Sequence, residues 1–470
     1  FFFKQKTAYE IYQCDWSSDV CSSDLTKADG VSDDYDALQK LAAAISNQKF
    51  AQRQIVYFPA GTYYINRFMR PQGTNSNNNK PITYKSASNF SLIGCTNAIV
   101  SVKGDFDMVN DVGLDNGAEW VSYTMQTTPF RFENSSNFKL SGFEINGNVN
   151  KMTRNRPAGS DLGETFSHGI VTAAAVNYEI SNIYVHHFAA DGVYVGDSMT
   201  IDDTGLFDHI ESAHNARQGM SIIQGRNLII TNSIFRDTGF TEGTYPSHAP
   251  SAGVDVEPNW GPPEGIPRTE NLVFDNCHFI NNRGIQWVGG DNGVNIQNVT
   301  VKNSEIAQRP DAKQPYAIIM SLPGGVIENN TIQTYDGMVV PVYSEGTGDV
   351  TKVNTIVRGN TITSSGPGLQ ILDTGAKVVV DNNTFISIHT PPADGPFPNV
   401  VSGTISFTNN KISYPAKNFG SGGVQGIIKA PTFTGNTITT DLTSGNYTIR
   451  IGAGQSATGN TIGSRILLAQ

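Results

Sequence analysis

The segment AGVDVEPN, residues 252–259, carries two carboxylates with one valine between them. If the segment is a β-strand, Asp255 and Glu257 project from the same face with their Cα atoms about 6.5–7 Å apart. Two carboxyl groups so placed can take different roles in one reaction, because one can donate a proton while the other stays ionised as a base or nucleophile. Cleavage of a glycosidic bond requires such a pair. The alternative interpretations are a pair of calcium ligands and two solvated surface acids.

Five further segments share the pattern of this strand, in which a Gly or Ala is followed by an aliphatic residue or Met. They are residues 168–173, 191–196, 218–223, 283–288 and 316–321. When the six segments are aligned on that Gly or Ala, one face is almost wholly apolar and is predicted to point into a core. The opposite face would form a single patch, because neighbouring strands lie about 4.8 Å apart. The ionisable, aromatic and amide residues predicted in this patch are His168, Asp191, Tyr194, Asp255, Glu257, Arg283 and Gln286.

Roles can be assigned to members of this patch and to residues just before one of its strands. Asp191 is predicted to be a third catalytic carboxylate beside Asp255 and Glu257. The segment HNARQGMS, residues 214–221, adds His214 and Arg217. An arginine at this point could bind a carboxylate or sulfate group of an acidic sugar.

Two long polar insertions interrupt the chain near the predicted patch, at residues 146–167 and 238–270. Insertions of this length commonly wall a binding site, so we expect them to form a cleft. Their Tyr245 and Trp260 suit stacking on a sugar ring. The residues predicted to bind substrate are His168, Tyr194, His214, Arg217, Trp260, Arg283 and Gln286.

A short motif recurs in the second half of the chain, as in NLVFDNCHF, NTIVRGNTI and APTFTGNTI. Its closing Ile or Phe falls at positions 279, 306, 332, 362, 385, 412, 438 and 462, with steps of 23 to 30 residues. A period in this range predicts a solenoid. Because each repeat has strand-like alternation broken by Asn and Gly, the sequence predicts a parallel β-helix of about a dozen coils, with Asn side chains stacked at the bends.

The N-terminal part of this architecture has its own pattern. Residues 27–47 predict a helix capped by Ser32, with an apolar stripe of Leu38, Leu41 and Ile45. Residues 54–65 then predict two strands joined by a Pro-Gly turn. A helix in this position would cover the open end of the solenoid.

The stretch ADGVSDDYDALQKL followed by IVYFPAGTYYI resembles the N-terminal segment of the pectate-lyase superfamily. This resemblance implies an all-β, single-stranded, right-handed parallel β-helix over residues 26–470. It also implies action on a polysaccharide, since the superfamily contains lyases, glycoside hydrolases, epimerases and phage tailspikes. The sequence lacks the Asn-Thr-Asp, Asp-Asp and Gly-His-Gly set of polygalacturonases and also lacks a clear calcium-plus-arginine signature of pectate lyases.

Composition excludes other classes of protein. The net charge of −10 argues against nucleic acid as a partner. The sequence contains no run of 18 apolar residues, so it predicts no membrane span. The histidines at 186, 187 and 209 lack further ligands at suitable spacing, so we expect no metal site and no required cofactor, with calcium left open. Residues 1–25 look like a non-native artefact, and any export signal would then be missing.

The sequence therefore favours a secreted or cell-surface enzyme that cleaves a polysaccharide, with a glycoside hydrolase as the first hypothesis. A polysaccharide lyase or a related epimerase is the second, with His168, Tyr194 or Arg283 removing a proton from a uronic acid. A non-catalytic glycan-binding module, like the stem of a tailspike, is the third. A homo-trimer is a further expectation.

Overall fold

A computed structural model gives the fold, and its described residues form two compact units. The first unit comprises the described residues up to Ala216 together with Thr241–His248, and the second comprises Arg217–Phe240 and Ala249–Gln470. The structure describes residues 26–470 except for 70–79, 107–109, 116–117, 124, 154–166, 198–202, 259–268, 291–295, 310–315, 323, 336, 341–354, 372–376, 389–396, 401–403, 416–423 and 456–457.

The first unit consists mainly of parallel strands in two sheets. Its longer strands are Asp29–Asp33, Lys49–Phe58, Gly61–Ile65, Ser88–Val102, Ser136–Asn146, Val176–His186 and Thr204–Ala213. The second sheet contains Thr83–Lys85, Phe130–Glu133, Ile170–Ala173 and Asp191–Val195. Two antiparallel pairs accompany them: Phe68–Met69 with Met125–Gln126, and Asn110–Asp115 with Ala118–Tyr123.

The second unit repeats the same parallel pairing with shorter strands. One set of strands comprises Gly225–Arg226, Ile229–Thr231, Ile234–Arg236, Thr269–Asp275, His278–Ile280, Ile296–Lys302, Glu305–Ala307, Gly325–Glu328, Thr331–Thr334, Thr355–Arg358, Thr361–Ser364, Val378–Asp381, Thr384–Ser387, Thr404–Thr408, Lys411–Tyr414, Thr432–Thr434, Thr437–Thr440 and Thr461–Ile462. The other comprises Gln218–Ile222, Val254–Val256, Trp287–Gly290, Tyr316–Ser321, Gly337–Val340, Leu369–Ile371, Asn399–Val400, Gly426–Ile428, Tyr447–Ile451 and Ile466–Ala469.

The closing Ile or Phe of each repeat forms a continuous row in the core of the second unit. Phe235 pairs with Phe279, Phe279 with Ile306, and the row continues in register to Ile462. All members before Ile462 are buried, so each coil places one apolar side chain directly over that of the preceding coil. The repeat period read from the sequence therefore gives the register of this sheet, and the predicted parallel β-helix is confirmed.

Buried asparagines form a second row in this unit, as the sequence predicts. The side-chain oxygen of Asn383 accepts bonds from the backbone N–H of Asn360 at 3.0 Å and from its side chain at 2.9 Å. The Asn383 amide donates to the side chain of Asn410 at 3.0 Å and to the backbone of Val357 at 2.9 Å. The same pattern links Asn330 through to Asn460. These bonds satisfy polar groups that the bends would otherwise leave buried and unpaired.

The N-terminal helix begins later than the sequence suggests. It spans Tyr35–Ile45, with Asp34 at the N-cap position and no side-chain cap bond. Ser32 does not cap it, because its hydroxyl donates to Asp29 at 2.8 Å within the strand Asp29–Asp33. The role of this helix as a cover for the end of the solenoid stays a prediction. Within the part of the chain that the structure describes, no helix is long and apolar enough to cross a membrane.

Candidate active site

A cavity of about 410 Å³ opens on the outer face of the second sheet of the first unit. The register of that sheet aligns Thr83, Arg131, Val171 and Tyr194 across four strands. In the strand Phe130–Glu133, alternate residues Phe130 and Phe132 are buried, so Arg131 faces outward. The lining residues of the cavity are Met69, Lys80, Pro81, Met125, Thr128, Arg131, His168, Val171, Tyr194 and Asp197.

His168, Asp191 and Tyr194 come together at this cavity, as the alignment of their strands predicts. His168 Nδ1 lies 3.3 Å from Asp191 Oδ2, and the His168 ring stacks on the Tyr194 ring with centroids 4.5 Å apart. Asp191 is wholly buried, so its carboxylate lies behind the imidazole and does not line the cavity. Gly169, next to His168, is required for close packing of the two coils, because a Cβ there would lie 2.4 Å from the side chain of Val185 and 2.8 Å from the backbone oxygen of Gly192.

Arg131 and Asp197 form an ion pair beside this histidine, with Nη1 and Oδ2 2.7 Å apart. Glu133 lies 3.6 Å from the Arg131 Nε and also pairs with Lys85. The sequence analysis missed Arg131 and Asp197. The signal for Arg131 was the alternation of FRFE, since the strand Phe130–Glu133 pairs with the strand that follows His168, but it lacks the Gly or Ala on which the other strands were aligned.

Asp255 and Glu257 lie in the second unit in unlike environments. Asp255 is buried within the strand Val254–Val256, and Gln218 donates to its carboxylate at 2.6 Å. The register places Ser221 beside Asp255, and the Ser221 hydroxyl bonds to Gln218 in turn. Glu257 is exposed directly after the strand, where its backbone N–H donates to Ile222 at 3.1 Å. The two carboxylates therefore differ in access to solvent.

The predicted position of Gln286 beside Asp255 is wrong. Val288 occupies that position, because the strand begins at Trp287 and its register is shifted by two residues. The Gln286 amide is fully buried and bonds to Asn282, where it holds the loop before the strand. A shift of two residues preserves the alternation of inner and outer faces, so the sequence pattern could not reveal it.

The other predicted binding residues are dispersed. In the second unit, Arg283 donates to the backbone of Gly239 at 3.3 Å and Arg217 is largely buried. In the first unit, His214 lies 3.6 Å from Glu242. Trp260 lies outside the described residues.

Tyr245 does not stack on a sugar in the way the sequence suggested. Its ring is fully buried in a cluster with Val149, Met152, Ala189 and Ala216. The described part of the second insertion, Thr241–His248, thus packs on the first unit through an aromatic anchor.

The fold and the cavity define a parallel β-helix protein with histidine, tyrosine and arginine side chains on one outer face. Residues 26–247 match the family described as "Rhamnogalacturonase A/epimerase, pectate lyase-like". The resemblance to the pectate-lyase superfamily is thereby confirmed over this part of the chain. The match supports a protein that acts on or binds a polysaccharide.

Three solved structures are similar to this chain at low identity. The A-module of a mannuronan C-5 epimerase from Azotobacter vinelandii is 14% identical, with 80% of this chain and 97% of that chain covered and a TM-score of 0.47. A surface adhesin of Streptococcus pneumoniae is 13% identical, with coverage of 94% and 91% and a TM-score of 0.45. An endo-xylogalacturonan hydrolase from Aspergillus tubingensis is 12% identical, with coverage of 93% and 97% and a TM-score of 0.40. At these identities and TM-scores the similarity supports no conclusion about the activity of this chain. No curated protein matches the sequence.

Proposed function

We propose that the protein acts on an acidic polysaccharide by removing the proton from carbon 5 of a uronic acid residue. The observation that carries this proposal is the buried carboxylate of Asp191 behind His168, whose ring lines a cavity that also contains Tyr194 and Arg131. A base, a second proton-transfer group and a cation are the equipment that this reaction class needs.

His168 is the proposed base. Asp191 can accept a hydrogen bond from Nδ1–H of His168, and this tautomer leaves the lone pair on Nε2 as the basic site. At 3.3 Å the two atoms are in ion-pair contact without the geometry of a full hydrogen bond, and such contacts often tighten when substrate binds. Asp191 is then a positioning residue, because it orients the imidazole and stabilises its protonated form without touching substrate.

Arg131 and Lys80 are the proposed partners of the substrate carboxylate. Loss of the carbon 5 proton places negative charge on that carboxylate, and a cation beside it lowers the barrier. Arg131 is held by Asp197, so a substrate carboxylate would replace the Asp197 carboxylate on the guanidinium. The exchange keeps Arg131 neutralised in both states, while Lys80 at the cavity edge adds a further positive charge.

Tyr194 completes the proposed reaction in one of two ways. In β-elimination the bond from carbon 4 to the glycosidic oxygen breaks, a double bond forms between carbons 4 and 5, and a phenol can give its proton to the leaving oxygen. In epimerisation no bond to oxygen breaks, and a proton returns to carbon 5 from the opposite face. Elimination needs no water, and neither reaction needs an oxidant.

The test is a panel of neutral and uronic acid polysaccharides incubated with the purified full chain, with and without Ca²⁺. Three readouts separate the reactions: reducing ends, ultraviolet absorbance of an unsaturated product, and deuterium incorporation at carbon 5 in heavy water. Reducing ends with absorbance indicate elimination, and deuterium without new ends indicates epimerisation. His168→Ala should abolish either signal, whereas His278→Ala, which removes an exposed histidine paired with Glu305, should not. Turnover of uronic polymers by His168→Ala at the wild-type rate would contradict the proposal.

A glycoside hydrolase is the second candidate, and the unlike environments of Asp255 and Glu257 favour it. A buried carboxyl group and an exposed one, two residues apart, can serve as acid and base. Reducing ends without ultraviolet absorbance, lost in Asp255→Asn and Glu257→Gln but kept in His168→Ala, would support this reaction and refute proton removal by His168.

Polysaccharides of this kind lie outside cells, so we expect the protein to be secreted or displayed on a cell surface. Fractionation of a culture that expresses the natural gene checks this, and recovery in the cytoplasm would contradict it. The homo-trimer stays a prediction, and light scattering of the eluted protein tests it.

A further inference from the structure

Two histidines and a glutamate converge in the first unit, outside the cavity described above. His187 Nε2 lies 3.8 Å from Glu242 Oε2, and His214 Nδ1 lies 3.6 Å from Glu242 Oε1. One ligand atom from each of the three residues lies within 4.8 Å of the other two. None of the three side chains lines the cavity.

The register of the strands brings the two histidines together. His186 pairs with Ala213 at the ends of adjacent strands, so His187 and His214 occupy the same corner of two consecutive coils. Their rings stack with centroids 5.0 Å apart and planes inclined by 20°. Both residues have a left-handed backbone, with φ of 58° and 54°, at a kind of position where this chain mostly uses Asn.

The carboxylate of Glu242 is brought to these corners by a fixed turn. Glu242 and Tyr245 exchange two backbone hydrogen bonds of 3.0 and 2.9 Å, and the buried Tyr245 ring anchors the turn. Gly243 between them has a φ of 60°, and a Cβ there would lie 2.3 Å from the backbone oxygen of Asn150. Backbone hydrogen bonds and packing of this turn therefore fix the position of Glu242.

A chain of hydrogen bonds indicates which nitrogen of His187 is protonated. His186 Nε2 lies 3.3 Å from Glu144 Oε1, and His186 Nδ1 lies 2.6 Å from His187 Nδ1. A neutral His186 that donates to Glu144 must accept at Nδ1, so His187 donates from its own Nδ1. In this tautomer His187 Nε2 carries a lone pair on the side of the Glu242 carboxylate, and a bound cation would relieve the repulsion between these two acceptors. Metal-bound histidines in proteins commonly donate their second nitrogen in this way.

We propose that His187 Nε2, His214 Nδ1 and the Glu242 carboxylate bind one divalent transition metal ion of the Zn²⁺ class. Zinc with bonds of about 2.0–2.2 Å to nitrogen and carboxylate oxygen places neighbouring ligand atoms about 3.3–3.5 Å apart in a tetrahedron. The two histidines lie 3.8 and 3.6 Å from different oxygens of Glu242, and one ligand atom from each residue lies within 4.8 Å of the others. Side-chain rotation that closes these separations by up to about 1.5 Å would give the tetrahedral spacing. Two imidazoles and one carboxylate suit zinc rather than calcium or magnesium, which prefer oxygen ligands.

The ion would fasten the turn at Thr241–His248 to the corners of two coils and leave one coordination position for water. His214 is 35% exposed in its side chain, so solvent reaches this position. This inference does not depend on the proposed reaction, because the ligands lie outside the cavity.

The test uses the untagged full chain, stripped with a chelator and titrated with ZnCl₂ in a calorimeter. Wild type should bind one Zn²⁺ per chain, and the Co²⁺-loaded protein should show the visible absorption of a tetrahedral site. His187→Asn and His214→Asn should each weaken Zn²⁺ binding at least about 100-fold. Asn suits the left-handed corners, so circular dichroism should confirm that both variants fold.

His209→Asn is the matched control. His209 also has a left-handed backbone, with a φ of 54°, but it is exposed and pairs with Asp208. Its variant should bind Zn²⁺ like wild type. Glu242→Gln keeps the side-chain volume and should also weaken Zn²⁺ binding. This variant tests the site even if a histidine variant fails to fold. Absence of Zn²⁺ binding in wild type, or unchanged affinity in Glu242→Gln and the folded histidine variants, would overturn the proposal.

Discussion

The carboxylate of Asp191 is wholly buried 3.3 Å from Nδ1 of His168, at the wall of a cavity that His168 itself lines. Burial of a carboxylate is costly unless it has a partner, and within the fully buried strand Asp191–Val195 the imidazole of His168 supplies that partner. The sequence pattern predicts that Asp191 is a catalytic carboxylate. Its position behind the imidazole supports a positioning role instead.

Replacement of Asp191 by Asn should lower kcat on the uronic acid substrate at least about 100-fold and leave KM nearly unchanged. The amide keeps the shape of the side chain but no longer favours the proton on His168 Nδ1. Steady-state kinetics on the polymer identified by the panel measures both constants. Asp208→Asn is the control, because Asp208 forms an exposed pair with His209 at 2.8 Å. An equal loss in both variants would mean that Asp191 has no special role.

Replacement of Arg131 by Gln should lower kcat/KM for a uronic acid polymer about 10- to 100-fold, since a charged hydrogen bond to the substrate carboxylate is lost and the charge that develops there is less stabilised. Asp197→Asn should raise kcat/KM or leave it unchanged, because it releases Arg131 from its internal partner. Arg358→Gln, which breaks an ion pair with Glu328 in the second unit, provides the control. If Arg131→Gln and Arg358→Gln both have the same kcat/KM as wild type, Arg131 does not act on the substrate carboxylate.

The core of the second unit could be predicted from the sequence because each repeat closes on Ile or Phe. Phe279, Ile306 and Ile332 are successive closing residues in the sequence and stacked neighbours in the structure. The site was less accessible to prediction. The sequence alignment places Gln286 beside Asp255, but the strand pairing is shifted by two residues and Val288 lies there instead. A shift of two residues keeps the same side chains on the inner and outer faces, so the pattern does not reveal it.

Long-range packing explains what else the sequence could not give. Glu242 meets His187 and His214 only because the buried Tyr245 ring anchors a turn far along the chain. Arg131 comes beside His168 only through strand pairing that skips the insertion at residues 146–167. The spacing of residues along the sequence therefore predicts neither of these contacts.

Cys277 should resist alkylation in the native protein at pH 8. Burial raises the pKa of its thiol to about 12, so the reactive thiolate is scarce as well as inaccessible. Mass spectrometry after brief iodoacetamide treatment should find Cys95, which is half-buried, labelled before Cys277, and urea should remove the difference. Because burial raises the pKa of this thiol, its contribution to the stability of the folded state is fully present below about pH 8.5. That contribution declines as the pH rises toward about 12. Equal labelling of both residues in the folded protein would contradict this environment for Cys277.

Replacement of Asn383 by Ala should lower the free energy of unfolding by about 2–4 kcal/mol, because it leaves the buried N–H of Asn360 and the carbonyl of Val357 without their partners. Urea denaturation measures the loss, and hydrogen exchange at the Asn360 amide should accelerate in the same variant. Lys411→Ala is the control, since Lys411 is exposed on the next coil and should change stability by less than about 0.5 kcal/mol. Asn383→Asp should be at least as harmful as Asn383→Ala, because a carboxylate can still accept from Asn360 but cannot donate to Val357 and would be buried with a charge. A stable Asn383→Ala variant with slow exchange at Asn360 would show that the asparagine row follows from the fold rather than holding it together.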